Sequence, residues 1–508
     1  RRSLSGPCCA PSSPRAAPMR RELPPLRSVW DVAHVRSAFD DANIKPGHLK
    51  AVLGWLSRHP AVIDWPGVDW SGVLQSVPHR ARNLLREKYV VRSTTVESAT
   101  LSMDLTTTKL VVKLFDDRRV ETVVMRHGTL RSQRITVCVS SQVGCQMNCS
   151  FCATGTMGLR GDLSAGEIVE QFAAARAIEP LARNVVFMGM GEPLNNYDAV
   201  LATCAALLDG ETWGLRAGGV TVSTVGISHR IRQLARDEPR VNLALSLHAP
   251  TQAKRIAIMP AAQAFGLPQL LSSMEAYVAA KLQAGNARVR TKETHPLVMV
   301  EYILLGGVND TDEDAHELGK LLKPPALAGR AMVNLIAYNP VEGLPYDRPA
   351  EGQVRSFQQI VKSYGILTCV RVTMGLDIAG ACGQLAKDIT AQKDGEKKDG
   401  VKARALNIED DPFSAAEAAS SKPRRRIVLE NGAAGLAHRK GPSTARRRGG
   451  SPAESDAAEA DAAAAPATET APAASLARRA GMWVVVLLVF AGLLSIGFGV
   501  TELFSGRA

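Results

Sequence analysis

Three cysteines at offsets of four and three residues carry the strongest chemical signal in the sequence. Cys145, Cys149 and Cys152 lie in the segment GCQMNCSFC, which begins at Gly144. Thiolates are soft ligands that favour iron-sulfur clusters, zinc or copper(I), and these three can converge on one group only if a loop wraps around it. Four cysteines would ligate every iron of a cubane, whereas three leave one iron open to bind and activate a ligand.

Half of a zinc site and three buried thiols are the alternatives to a cluster. A structural zinc takes a fourth Cys or His, and no nearby His in the sequence completes this set. Buried free cysteines are common as small hydrophobic residues, but three at this spacing beside an aromatic residue rarely arise by chance. The spacing therefore favours an iron-sulfur cluster.

Length, cysteine usage and charge limit the class of protein. A chain of 508 residues has room for more than one domain, although one α/β barrel can take about half of it. Nine scattered cysteines do not form a disulfide framework, so a reducing compartment is expected. The net charge is +12, but residues 422–448 hold nine Lys or Arg and one Glu. Most of the excess charge is thus in a tail, which makes it weak evidence for nucleic-acid binding by the catalytic part.

The section from 134 to 385 repeats one theme, a β-branched run that ends in a small or polar residue, followed by an amphipathic helix. Ser164 and Glu167 form a capping box for a helix that runs to residue 178, and another helix is predicted over 353–364. This alternation predicts an α/β fold, a parallel sheet with right-handed crossovers that is closed or partly closed as a TIM-like barrel. Strands are predicted at 135–139, 185–188, 220–223, 241–247, 298–305, 333–337 and 367–372.

The flanking segments differ in composition from this barrel. Residues 1–28 are rich in Arg, Ser, Ala and Pro, which is typical of a transit peptide, a disordered terminus being the alternative. Residues 29–90 have apolar residues at helical spacing and predict a small helical accessory domain, with Pro46-Gly47 marking a turn. Residues 91–133 alternate like strands and predict a β-hairpin that leads into the barrel.

The C-terminal part predicts disorder and then a membrane anchor. Residues 386–480 are rich in Lys, Arg, Ala and Pro and are expected to form a disordered linker. Residues 482–500 are uncharged and apolar, and at about 1.5 Å per residue such a helix would cross the hydrocarbon core of a bilayer. We therefore expect a transmembrane helix over 482–500.

Polar residues follow several of the predicted strands, where the chemistry of such barrels is found. Gly191 and Glu192 end one strand, and the acid could accept a hydrogen bond from an amine, although Gly-Glu-Pro also makes an ordinary turn. His248 taken alone is more often a buried core histidine than a functional one. Further polar residues at strand ends are Ser223, Ser246 and Asn339.

Two other cysteines have a chemical context. Cys138 lies seven residues before Cys145, and Cys382 lies in a loop of small residues after the last predicted strand. Small neighbours leave a thiol accessible, and an accessible thiolate can act as a nucleophile or a redox partner.

Taken together, these motifs closely resemble the radical S-adenosylmethionine (SAM) RNA methyltransferases of the RlmN and Cfr type. The resemblance covers about residues 84–385, in order and with compatible spacing. The motifs that carry it are CVSSQVGC ending at Cys145, the two cysteines that follow, MGMGEPLN ending at Asn195, SLHAP ending at Pro250, Glu301-Tyr302, Asn309-Asp310, Asn334-Leu-Ile, YNP ending at Pro340, and ACGQL around Cys382.

The resemblance implies a role for each matching residue. Cys145, Cys149 and Cys152 would hold a [4Fe-4S] cluster whose open iron binds the amino and carboxylate groups of SAM. Cys382 corresponds to the cysteine that carries a methyl group, Cys138 to the one that resolves a covalent intermediate, and Glu121 to the proposed proton acceptor. The positions that match the cofactor-binding residues are Gly191, Glu192, Ser223, Ser246, Leu247, His248 and Asn339.

The same resemblance implies a reaction with two SAM molecules per turnover. Carbon 2 of adenine is electron-poor and cannot attack a methyl sulfonium. One cofactor would methylate Cys382, and reductive cleavage of a second would yield a 5'-deoxyadenosyl radical that takes a hydrogen atom from the S-methyl group. The carbon radical would add to adenine, a base would remove the ring proton, and Cys138 would attack the Cys382 sulfur and free the product.

We therefore expect an organellar enzyme, chloroplast in preference to mitochondrion, that methylates carbon 2 of an adenine in large-subunit rRNA and also in tRNA. Cytoplasmic location is the alternative. Methylation at carbon 8, as in Cfr, is the rival within the class, and an iron-sulfur RNA-binding or ribosome-assembly factor without turnover is the rival from another class. Expected partners are an unpaired RNA, an electron donor such as flavodoxin or ferredoxin, and a membrane through 482–500; the chain is expected to be a monomer.

Overall fold

The computed structural model describes residues 21, 24–60, 77–128, 133–284, 296–324, 326–385 and 404–405. The predicted membrane span, most of the predicted transit peptide and nearly all of the predicted linker lie outside these residues. No helix in the described part of the chain is long and apolar enough to cross a bilayer.

In the described residues, three helices and a short strand pair precede the main sheet. They are β1 (Arg27–Ser28), α1 (Val32–Asp41), α2 (Pro46–Arg58), α3 (His79–Lys88) and β2 (Tyr89–Val90), and β1 pairs with β2 in parallel. The turn predicted at Pro46-Gly47 is wrong, because α2 begins at Pro46, a position where proline gives up no helical hydrogen bond. The apolar residues at helical spacing are buried as predicted: Val35, Phe39, Leu49, Val52, Leu53 and Leu56.

A single mixed sheet of eleven strands forms the centre of the described structure. Four antiparallel strands extend one end of it, namely β3 (Thr95–Leu101), β4 (Thr107–Lys113), β5 (Arg119–His127) and the two-residue β15 (Arg404–Ala405). The predicted hairpin is β4 paired with β5, and β3 adds a strand that the alternation pattern did not reveal. β15 lies within the segment predicted to be a disordered linker and pairs with β3.

All seven predicted barrel strands are confirmed to within two residues. They are β6 (Arg134–Cys138), β9 (Asn184–Phe187), β10 (Val220–Thr224), β11 (Asn242–Ser246), β12 (Val298–Leu304), β13 (Ala331–Ala337) and β14 (Leu367–Val370). They pair in parallel in this order, each with the next along the chain. β14 and β15 are the two ends of the sheet in the described residues, so the barrel is partial, which is one of the two forms that the strand-helix alternation predicts.

Helices connect these strands, and a small separate sheet holds the cysteine loop. The helices are α4 (Ala153–Thr156), α5 (Ala165–Ile178), α6 (Tyr197–Leu208), α7 (Ser228–Asp237), α8 (Gln252–Ile258), α9 (Leu267–Gln283), α10 (Asp312–Leu321) and α11 (Glu351–Ser363). The separate sheet is β7 (Gln142–Gly144) with β8 (Leu159–Asp162), paired antiparallel. The predicted capping box is confirmed at the start of α5, where Ser164 and Glu167 satisfy each other's backbone N–H groups.

The two faces of β5 have different surroundings. The Thr122 hydroxyl donates a hydrogen bond to the Gln171 side chain of α5 at 2.8 Å, so this face of the strand packs on a helix. Side chains alternate along a strand, so Glu121, Val123 and Met125 lie on the opposite face, toward the interior of the partial barrel.

Candidate active site

The loop between β7 and β8 carries the three cysteines of the predicted cluster. At its base the Cys145 N–H donates to the Gly158 carbonyl at 3.0 Å. Near its tip the Ser150 N–H donates to the Ile258 carbonyl at 3.0 Å, and the Ser150 hydroxyl lies 2.6 Å from the Tyr346 hydroxyl. The loop is therefore fastened to β8 on one side and to the end of α8 on the other.

All three cysteines line one cavity of about 170 Å³, with apolar side chains such as Phe151 and Met259 in its wall. Among the described residues, no three His, Cys, Asp or Glu side chains are close enough to hold a single metal ion. The thiolates that hold a four-iron cluster lie farther apart than the ligands of a single metal ion. Three soft thiols on one loop in a largely apolar wall fit an iron-sulfur cluster with one open iron.

The thiols of this loop are protonated when no metal is bound. Burial raises the pKa of Cys145 to about 12, and burial also raises the pKa values of Cys149 and Cys152, with charge on neighbouring thiols adding to the rise. Thiolates are the metal-binding form, so assembly of a cluster must release these protons.

Gly191 and Glu192 form one wall of the same cavity. Gly191 has φ +102°, and a Cβ there would lie 2.6 Å from the Gln142 Cβ, so only glycine fits. The Glu192 carboxylate accepts hydrogen bonds from the N–H groups of Val225 at 2.8 Å and Leu194 at 3.1 Å. Burial raises the pKa of Glu192 to about 7. A carboxylate fixed in this way suits an amine ligand.

Ser223, Ser246 and His248 also line this cavity, from the ends of β10 and β11. The two serine hydroxyls lie 3.5 Å apart. His248 Nδ1 accepts a hydrogen bond from the Ile303 N–H at 3.0 Å, which leaves the ring proton on Nε2. Burial lowers the pKa of His248 to about 3, so the ring is neutral and presents a hydrogen-bond donor. Its φ of +59° is rare outside glycine, and such strain is concentrated at functional sites.

The Cys382 loop is hydrogen-bonded directly to the loop that carries Cys145, Cys149 and Cys152. The Ala153 N–H donates to the Gly383 carbonyl at 2.8 Å, and the Thr154 hydroxyl donates to the Leu385 carbonyl at 2.8 Å. These bonds place Cys382 in the wall of the cluster cavity.

A second, smaller cavity of about 30 Å³ contains Cys138 together with Cys382. Asn339 is also in its wall, and its side-chain amide donates to the Cys382 carbonyl at 3.5 Å. Burial raises the pKa of Cys138 to about 12, and charge on Cys382 raises it further. Cys138 is therefore a neutral thiol, and Cys382 is the cysteine that lines both cavities.

Two of the predicted site residues lie outside both cavity walls. Leu247 is buried, and its backbone N–H donates to the Glu301 carbonyl at 3.1 Å. Glu121 is fully buried on β5, and its Oε1 lies 3.3 Å from Nζ of Lys109. Glu121 shares a strand face with Val123 and Met125, which do line the smaller cavity.

Arg371 and Glu301 were given no role from the sequence, and both belong to the site. Arg371 lines both cavities. Its pKa is raised, chiefly by charge on Cys382 and then by Glu301 and Cys138, against the effect of burial. Glu301 lines the cluster cavity; its Oε1 accepts from the Asn334 amide at 3.1 Å, and its buried Oε2 has no hydrogen-bond partner among the described residues. β14 ends at Val370, two residues before the predicted end of that strand. Arg371 is therefore the first residue after the strand, which is the kind of position where the other polar candidates were found.

Comparison with known proteins agrees with this geometry. The sequence profile of the radical SAM superfamily matches residues 139–319, which include the three cysteines and the ends of the four barrel strands β9, β10, β11 and β12. The fold and the site thus define a radical SAM enzyme, a class that uses a [4Fe-4S] cluster and SAM.

Relatives that match this chain over most of their own length identify the family within this class. The chain is 39% identical over 331 residues to a probable dual-specificity RNA methyltransferase RlmN of Salinibacter ruber, covering 63% of this chain and 85% of the relative. It is 41% identical over 323 residues to the dual-specificity RNA methyltransferase RlmN of Nitratidesulfovibrio vulgaris, covering 61% and 83%. The crystal structure of a radical SAM methyltransferase from Sphaerobacter thermophilus matches with a TM-score of 0.61 and 34% identity, covering 71% of this chain and 99% of that one. The chain belongs to the RlmN-type family of radical SAM RNA methyltransferases.

Proposed function

We propose that this protein methylates carbon 2 of adenine in large-subunit rRNA, and in tRNA as a second substrate, through a methyl group carried on Cys382. The observation that carries the proposal is the position of Cys382, which lies in the walls of both the cluster cavity and the Cys138 cavity. Binding of RNA alone would require neither thiol. The relatives named as dual-specificity RNA methyltransferases support the choice of substrate.

Three cysteine thiols and the wall around Glu192 would hold the cluster and SAM. The bound cluster and SAM would supply the radical chemistry that activates the methyl group on Cys382. The residues of the chain do the rest. The Glu192 carboxylate accepts a hydrogen bond from the amine of SAM, and neutral His248 offers its Nε2–H as a hydrogen-bond donor. The apolar wall excludes water from the reacting centre.

Cys382 and Cys138 divide the covalent work. The Cys382 sulfur takes a methyl group from one SAM and loses its thiol proton. After the methylene carbon has joined the adenine, the Cys138 sulfur attacks the Cys382 sulfur, so that an S–S bond forms and the S–C bond to the product breaks. The electron pair of the S–C bond stays with the carbon, which takes up a proton and becomes the methyl group. Because Cys138 is a neutral thiol, it must lose its proton in this step.

Mass spectrometry of nucleosides tests the proposal directly. Full-length protein is reconstituted anaerobically with iron and sulfide and incubated with SAM, a reductant and ribosomal RNA fragments. We expect 2-methyladenosine, with one S-adenosylhomocysteine and one 5'-deoxyadenosine formed per methyl group. The appearance of 8-methyladenosine would support the Cfr-like alternative, and the absence of any methylated adenosine would support a binding factor.

Cysteine variants separate the two thiol roles. Cys382→Ala is expected to abolish methylation. Cys138→Ala is expected to join the methylene carbon on Cys382 to the RNA but not to release it, which leaves a protein–RNA adduct that survives denaturation. Cys369 is exposed and outside both cavities, so Cys369→Ala is the matched control and should keep wild-type activity. Normal turnover by Cys382→Ala would contradict the mechanism.

Location and partners are proposals that rest on composition. We place the enzyme in an organelle, chloroplast before mitochondrion, because residues 1–28 have the composition of a transit peptide. The apolar run 482–500 would anchor it to a membrane, and flavodoxin or ferredoxin would donate electrons. A fluorescent protein fused to residues 476–508 tests the anchor, since a fully soluble fusion would exclude it. Sedimentation tests the expected monomer.

A further inference from the structure

Arg255 is a fully buried cation on α8. The residue is 0% exposed, and its guanidinium donates hydrogen bonds to three backbone carbonyls. Nε donates to the Leu247 carbonyl at 3.2 Å and Nη1 to the Phe265 carbonyl at 3.4 Å, while Nη2 donates to the Val225 carbonyl. Carbonyl oxygens satisfy the N–H groups of arginine, but they carry no net charge and do not neutralise it.

The preceding residue of the same helix shows the usual arrangement for a cation. Nζ of Lys254 lies 2.7 Å from Oδ1 of Asp314, and the Lys254 side chain is 40% exposed. Arg255 has neither contact with water nor an acid of this kind, since no carboxylate of the described residues forms an ion pair with it. A buried ion without a countercharge is strongly destabilising, so the position of Arg255 calls for a negative partner.

The hydrogen bonds of Arg255 place its guanidinium behind the wall of the cluster cavity. Val225, whose carbonyl it binds, lines that cavity. His248, the residue after Leu247, lines it as well. The guanidinium is therefore bonded to the backbone of the same wall whose other side faces the cluster cysteines.

α8 is also fastened to the loop that carries Cys149. The Ile258 carbonyl, about one helical turn after Arg255, accepts from the Ser150 N–H at 3.0 Å and from the Ser150 hydroxyl at 3.1 Å. Ser150 follows Cys149 directly. Burial raises the pKa of Cys149 well above its usual value, and the positive charge of Arg255 opposes that rise. The cation and the cluster loop are thus electrostatically coupled.

Other titratable groups in the cavity wall do not neutralise Arg255. The Glu192 carboxylate accepts from the Val225 N–H at 2.8 Å, and burial raises its pKa to about 7, so it is only partly ionised at neutral pH. Burial, together with the charge of Arg255, lowers the pKa of His248 to about 3, so this ring is neutral. Burial lowers the pKa of Arg255 to about 10, and negative charge on Cys149 opposes that fall. Among the described residues, Cys149 is therefore the source of negative charge that acts on Arg255.

We propose that Arg255 is the electrostatic partner of the [4Fe-4S] cluster and raises its reduction potential. A cluster held by three thiolates is anionic, and reduction adds one more negative charge to it. A fixed cation stabilises the reduced form more than the oxidised form, because Coulomb attraction grows with the charge of the partner. Net charge and burial are the means by which a protein sets cluster potentials. This inference requires the cluster of a radical SAM enzyme and is independent of the RNA that is methylated.

A redox titration monitored by electron paramagnetic resonance tests the proposal without SAM or RNA. Full-length wild type and its variants are reconstituted anaerobically, and the potential of the cluster is measured at pH 7. At an effective dielectric constant of about 20, a unit charge within about 12 Å shifts a one-electron equilibrium about tenfold or more. Arg255→Gln removes the charge but keeps an N–H donor, so its cluster should be about tenfold harder to reduce, a fall of about 59 mV.

Two further variants separate charge from structure. Arg255→Lys keeps the charge, and its potential should stay within about threefold of wild type in the reduction equilibrium. Lys254→Gln is the matched control on the same helix, because its charge is partly exposed and paired with Asp314, and it should also stay within about threefold. Iron content and urea unfolding show that each variant holds a cluster and folds.

The outcomes decide for or against the role of Arg255. An unchanged potential in Arg255→Gln would overturn it. Equal falls in Arg255→Gln and Arg255→Lys would overturn it too, since lost hydrogen bonds would then explain the effect. If Arg255→Gln does not fold, Arg255→Lys decides alone: a potential near wild type supports the proposal, and a fall of about tenfold refutes it. Failure to methylate RNA by a wild type with a normal cluster potential would refute the proposed function and leave this inference intact.

Discussion

Gly144 immediately precedes the first cluster cysteine, and its replacement by alanine should prevent cluster binding. Gly144 has φ +72°, and a Cβ there would overlap the Gly158 carbonyl oxygen, well inside the 3.0 Å that real Cβ atoms keep from other atoms. The same carbonyl accepts the hydrogen bond from the Cys145 N–H. Relief of the overlap must therefore move the backbone that holds Cys145.

The cost of this change can be compared with a matched control. Gly158 has φ +65°, but a Cβ at Gly158 would meet nothing within 4 Å, so Gly158→Ala carries only the left-handed strain of about 1–2 kcal/mol. Gly144→Ala carries the same strain, about 1 kcal/mol for the lost hydrogen bond and about 1–3 kcal/mol for overpacking. The difference between the variants is therefore roughly 2–4 kcal/mol.

Iron content after anaerobic reconstitution is the assay, with urea unfolding as a check that both variants fold. Wild type and Gly158→Ala should each bind about four irons per chain, as one cubane requires. Gly144→Ala should bind a small fraction of that, because one of three ligands is displaced. Equal iron in the two variants would refute the assignment of Gly144 as the residue that sets the geometry of the loop.

Two further substitutions test the cofactor wall. Burial raises the pKa of Glu192 to about 7, so SAM affinity should weaken about tenfold for each pH unit below 7 as the carboxylate is protonated. Equilibrium dialysis measures this dependence, which should be absent in Glu192→Gln. Arg255 is fully buried and donates to three backbone carbonyls, including those of Leu247 and Val225. Arg255→Met should lower the free energy of unfolding by about 3–5 kcal/mol and weaken SAM binding, since the Val225 N–H holds Glu192. Arg355→Met, in an ion pair with Glu351 that is exposed on both sides, should cost under about 1 kcal/mol, and equal losses would contradict the role of Arg255.

Features that depend on local spacing were predicted well. The strands of the barrel appear as β-branched runs, because a strand buried on both faces is apolar along its whole length. The capping box at Ser164 was readable because its two partners are three residues apart. The error at Pro46 has a local cause as well, since proline is compatible with both a turn and the first position of a helix, and the choice between them depends on the residues after the proline.

Features that depend on strand register were not predictable from the sequence. The Lys109–Glu121 pair exists because β4 and β5 align with Lys109 opposite Val123, and a shift of one residue would turn the side chains of one strand to the other face. Arg371 became a site residue only because β14 ends at Val370, a boundary that no residue type marks. Glu301 enters the cavity wall through its alignment between Ser246 and Asn334 on the neighbouring strands.

The sequence by itself determined the chemistry available to this protein, namely three thiols on one loop, an acid after a glycine-rich strand end, and two further cysteines, one of them in a loop of small residues. Spacing along a chain specifies what a short loop can bind. Only the tertiary structure decided that Cys138, from the first barrel strand, and Cys382, from the loop after the last, share one cavity. The reason is physical: residues far apart in sequence meet only through the order and register of the strands between them, and those are properties of the whole sheet.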